Sequence, residues 1–92
     1  MKFVNHASYV ADEKKIADLR PQHRDYLSGL MKQGKIVAAG PYADGSGTLI
    51  VYELADQAEA QAIVDADPFT TGGVFVSCEL KPWKIVSANR KG

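Results

Sequence analysis

The sequence predicts an α+β domain in which one antiparallel sheet carries two helices on a single face. Three observations predict it. Strand-like and helix-like hydrophobic periods follow one another in the order strand, helix, strand, strand, helix, strand. An Asp44-Gly45-Ser46-Gly47 turn joins the two middle strands. The length of 92 residues bounds the chain to one domain over 1–92, with the tail from about 86 outside the core.

The first strand runs over Phe3 to Val10, where β-branched and aromatic residues concentrate. The period then changes. Ile16, Leu19, His23, Tyr26 and Leu30 recur at spacings of three and four, with Leu27 and Met31 widening the stripe. That pattern is one face of an amphipathic helix ending near Gln33, with Gly34 as its stop. Pro21 lies inside the pattern, so the helix either starts near it or bends there. Lys35 to Gly40 is a short apolar strand, and Tyr42 to Gly47 a turn. Thr48 to Leu54 is the clearest strand, dense in Leu, Ile, Val and Tyr.

Asp56 followed by Glu59 reads as a helix start. An alanine-rich helix then reaches about Ala66, with Ala62, Ile63 and Ala66 as its expected inward residues. Pro68 disfavours helical backbone at Asp67 and ends it. Gly72-Gly73 leads to a last strand, Val74 to about Lys84, whose Pro82 suits an edge or a bulge. This is the ferredoxin-like βαββαβ order. It leaves one sheet face without a cover, and a second copy of the chain is the simplest one.

Composition removes several function classes. Hydrophobic residues make up 46% and charged residues 24%, with eleven basic and eleven acidic side chains. Basic residues are scattered, and Thr48 to Tyr52 lacks paired aromatics flanked by cations, so no nucleic-acid partner is expected. The tail Asn89 to Gly92 reads as a solvated end. No membrane partner is expected either, because no apolar run approaches ~18 residues, and the chain reads as cytoplasmic. Cys78 has no disulfide partner and reads as a packed, inert thiol. The two histidines show no metal-ligand spacing, and the glycines match no phosphate loop, so neither metal nor organic cofactor is expected.

His23 is the residue with chemistry to explain, because it interrupts an apolar stripe where an ionisable ring needs a partner. Two readings stand. The ring is satisfied by a backbone carbonyl at the core edge, or it faces a pocket as a proton carrier fixed by a carboxylate. Asp67, at the break after the second helix, is the best carboxylate for that role, and equally a cap for a next turn begun by Pro68. Asp44 is the second candidate, with the Asp-Gly turn as its plain explanation. Gly40 and Pro41 offer backbone groups to a pocket, and Ser77 a hydroxyl. His6, in the first strand beside Asn5 and Ser8, has no assigned role.

A set of short motifs then falls into order: Arg20-Pro21-Gln22-His23, Tyr26-Leu27, Leu30, the run Gly34 to Pro41, Asp67-Pro68-Phe69, Gly73-Val74 and Lys81-Pro82-Trp83. Together they resemble the YciI-like (YCII-related) family from the first strand to about Lys84. The resemblance implies a ferredoxin-like subunit in a dimeric α+β barrel, similar in architecture to muconolactone isomerases and small cofactor-free monooxygenases. It also implies a histidine–aspartate pair in a pocket, at His23 and Asp67 here. One family member is a dehydrochlorinase of a chlorinated hydroxyhydroquinone, while most have no assigned reaction. The expectation is therefore a homodimer, or higher homo-oligomer, that performs cofactor-free acid–base chemistry on a small aromatic or lactone-like molecule. A non-catalytic ligand-binding dimer or accessory domain is the alternative. An oxygenase of the same barrel type is a third reading.

Overall fold

Four antiparallel strands in the order β2-β3-β1-β4 form the sheet that organises the chain. The structure is a computed structural model describing residues 1–89; residues 90–92, in the expected solvated tail, lie outside the described residues. The elements are β1 (Lys2–Tyr9), α1 (Glu13–Lys32), β2 (Ile36–Pro41), β3 (Gly47–Glu53), α2 (Gln57–Ala66), the short α3 (Pro68–Thr71) and β4 (Phe75–Trp83).

Helix α1 has well-made ends. Asp12 caps it by accepting from the Lys15 amide at 3.1 Å, and Glu13 in the first turn complements the helix dipole. At its far end Gly34, with φ +74°, turns the chain back: its amide donates to Met31 O and that of Lys35 to Leu30 O. This pair of bonds is a Schellman stop, and the left-handed backbone it requires favours glycine. The helix runs unbroken through Pro21, which is exposed and has no amide to donate to the Ala17 carbonyl.

Phe3, Asn5 and Ala7 on β1 and Ile50 and Tyr52 on β3 point to the helical side of the sheet and are completely buried. Ile16 and Leu30 of α1, Ala60, Ile63 and Val64 of α2, and Phe69 of α3 close over them. The inward phase of α2 differs from the expected one, since Ala62 and Ala66 are exposed. Capping by Asp56 sets the phase, so that positions 60, 63, 64 and then 67 face the core. Met31 is likewise exposed, because the apolar stripe of α1 is narrower than its composition. Cys78 is exposed on the edge strand and not packed. Desolvation of its sulfur still raises the thiol pKa, which keeps it protonated.

Gly47 opens β3 where only glycine fits. A Cβ there would come within 2.0 Å of Ala7 O on the paired strand. Pro82 is tolerated because β4 is an edge strand, paired only with β1. The sheet face away from the helices leaves Leu49 and Trp83 exposed. No helix among the described residues is long and apolar enough to cross a membrane.

Candidate acid–base site

Helical phase and a proline together position the central pair. His23 falls in the buried stripe of α1 between Ile16 and Leu30. Asp67 falls one turn past Ile63 and Val64 on the inward face of α2, and Pro68 forces its backbone out of the helix, to φ −61° and ψ 130°. The two side chains, 44 positions apart, meet with Nδ1 of His23 donating to Oδ1 of Asp67 at 2.7 Å. The same oxygen accepts from the Phe69 amide at 2.9 Å and so caps α3. One atom thus both accepts from the imidazole and caps the next turn. Asp67 is fully buried, and its Oδ2 has no hydrogen-bond partner among the described residues.

The imidazole is held on three sides. Phe69 stacks on it with ring centres 4.0 Å apart and planes 4° from parallel, and Phe75 meets it edge-on at 5.9 Å. Asp67 holds its Nδ1. A carboxylate only accepts, so a neutral ring held this way keeps its proton on Nδ1 and presents the lone pair of Nε2. Tyr26 ties α1 to α2 by donating to Ile63 O at 2.6 Å, which fixes the helix carrying the histidine.

His23 and Phe69 line a cleft of about 560 Å³ between α1 and the end of β2. That volume suits a small organic molecule. Gly40 and Pro41 form part of its wall. Asp44 does not: it is exposed, and its Oδ1 accepts from the Ser46 amide at 2.9 Å as a turn residue. Hydrogen bonds from Ser46 hold its carboxyl below the usual range. Ser77 is also outside the cleft, on the other sheet face, where its hydroxyl lies 2.9 Å from that of Ser8. A register shift between Ser8 and Tyr9 flips the alternation of β4, so counting from Phe75 puts Ser77 on the wrong side.

Sequence reasoning missed Arg20, Arg24, Tyr9 and Thr48 in the wall. Their signal was position: Arg20 and Arg24 flank His23 on one helix, and Tyr9 ends the strand packed beside it. Burial raises the pKa of the Tyr9 phenol, against the opposing pull of the Thr48 hydroxyl and the Arg20 charge, so it stays a neutral hydroxyl. His6 sits apart, its Nδ1 2.5 Å from the Tyr42 hydroxyl. No cluster of three metal-ligating side chains occurs among the described residues.

Comparison with known proteins agrees with this fold. A curated relative, Protein YciI of Escherichia coli O6:H1, is 33% identical over 98 aligned positions, covering 94% of this chain and 99% of its own length. Protein YciI of Shigella flexneri matches equally well. Among solved structures, 5-chloro-2-hydroxyhydroquinone dehydrochlorinase from Burkholderia phenoliruptrix AC1100, in complex with 2,5-dihydroxybenzoquinone, superposes with a TM-score of 0.81. It is 26% identical, over 91% of this chain and 94% of that one. The family model of the YCII-related domain matches residues 1–84, and the chain belongs to that family.

Proposed function

We propose that the protein is an enzyme that moves protons on a small hydroxylated ring, with His23 as base and acid and Asp67 as the group that holds it. The observation that carries this reading is the 2.7 Å bond between Nδ1 of His23 and a fully buried carboxylate at the wall of a ligand-sized cleft. The similar dehydrochlorinase, which binds a flat dihydroxyquinone, supports the substrate class.

The chemistry follows from the tautomer. Nε2 accepts the proton of a ring hydroxyl, and the electron pair moves into the ring. The imidazolium, stabilised by Asp67, then returns that proton to a ring carbon, leaving a ketone. Where that carbon carries chlorine, removal of a second hydroxyl proton sends an electron pair through the ring and expels chloride. The net change is loss of HCl and formation of a quinone, with no external oxidant. Positioned proton transfer of this kind is worth roughly 10²–10⁴ in rate. These steps call on no metal or organic cofactor.

The test is anaerobic turnover of chlorinated and unchlorinated trihydroxybenzenes by the wild type and by His23→Ala. The reading expects chloride release or tautomerisation that is lost in the variant. Activity of equal size in His23→Ala would remove the imidazole from the reaction, and tight binding with no turnover by either protein would favour a ligand-binding role.

A further inference from the structure

We propose that Arg20 and Arg24 form the anion-binding half of the cleft, so that the ring presented to His23 enters as an anion. The inference rests on the reading of the cleft as a site for a small hydroxylated ring, and it adds the charge state of that ring.

Charge placement carries it. A helix rises about 1.5 Å per residue, which puts Arg20 about 4.5 Å and Arg24 about 1.5 Å along the axis from His23, both on the cleft wall. Glu13 is the lining carboxylate, and it lies about 15 Å along the same axis from the imidazole. Asp67 is fully buried behind the ring and already committed to it. The charged lining side chains nearest His23 along the helix are therefore both cations, although the whole chain has a formal charge of zero.

Among the described residues neither arginine enters an ion pair; the pairs are made by Lys2, Lys14, Lys35, Lys81, the terminal amine and His23. Arg20 is half-buried, so it holds its charge partly out of water with no carboxylate paired to it among the described residues. A guanidinium presents a planar fork of donors that matches a carboxylate or a pair of ring oxygens. It also stabilises the negative oxygen that remains when Nε2 takes a hydroxyl proton.

The experiment compares two probes of one shape and different charge, 2,5-dihydroxybenzoate and 2,5-dihydroxybenzamide, by NMR titration of the wild type, Arg20→Gln and Arg24→Gln. The wild type is expected to bind the benzoate roughly tenfold or more tightly than the amide, with that preference shrinking as salt rises. Arg20→Gln is expected to remove most of the preference, Arg24→Gln part of it, and neither to weaken the amide comparably. A wild type that treats the two probes alike overturns the proposal, and so do arginine variants that keep the full preference. Binding is read without turnover, so lost charge preference leaves proton transfer by His23 standing, and failed turnover leaves the charge preference standing.

Discussion

The imidazole of His23 and the ring of Phe69 stack with centres 4.0 Å apart and planes 4° from parallel, at the wall of the cleft. This contact fixes the plane of the histidine, while Asp67 fixes its rotation within that plane. Phe69 is 1% exposed and also meets Tyr9 and Phe75 edge-on, so it belongs to the core as much as to the site. Phe69→Ala is therefore expected to cost roughly 3–5 kcal/mol in urea unfolding, a large share of the stability of so small a domain.

Asp67 performs two tasks through one oxygen, and two substitutions separate them. Asparagine is a good helix cap, so Asp67→Asn is expected to keep α3 while losing the charge that stabilises the imidazolium. Turnover should fall by roughly 10²–10⁴ with only a modest change in the unfolding midpoint. Asp67→Ala removes the cap and leaves the ring nitrogen without its acceptor, and is expected to cost roughly 2–4 kcal/mol. Parallel rate and urea measurements check both. Equal effects of the two changes on stability would show that the cap is not held by this oxygen.

Glu53 gives the fold an acid-sensitive point away from the site. Hydrogen bonds from Lys2 and then from the terminal amine lower its carboxyl from an ordinary 4.5 to about 2. The unfolded chain takes up this proton near 4.5 and the folded chain only near 2. The stabilisation is thus complete above about 4.5 and is lost as the pH falls toward 2. The group is exposed, so the effect is small and screened by salt. Glu53→Gln should unfold more readily than the wild type at pH 7, and the two curves should converge near pH 2.

The sheet face opposite the helices leaves Leu49 and Trp83 exposed. A second copy packed there is the expected cover, giving a dimer in light scattering. Leu49→Lys should shift the population toward monomer without changing the spectrum of the folded chain. A wild type that stays monomeric at high micromolar concentration would exclude this assembly.

Most of the fold was readable because local signals agreed with it. The Asp12 and Asp56 caps, the Gly34 stop and the Asp-Gly turn lie where the elements begin and end. Phase was harder to read. Alanine is compatible with either side of a helix, so Ala62 and Ala66 could not be told from Ala60 by type. In β4 a register shift reversed the alternation and put Ser77 on the far face. Within the site, His23 was visible as a polar break in an apolar stripe, whereas the arginines beside it looked like an ordinary solvated helix face until the cleft was formed.

Proton transfer to and from carbon is the step the account assigns to His23, and it can be seen directly. Hydroxyhydroquinone held in deuterated buffer without oxygen, followed by proton NMR, should lose its ring C–H signals faster with the wild type than without protein. With His23→Gln that acceleration should disappear. Ring exchange as fast in the glutamine variant as in the wild type would contradict the assignment.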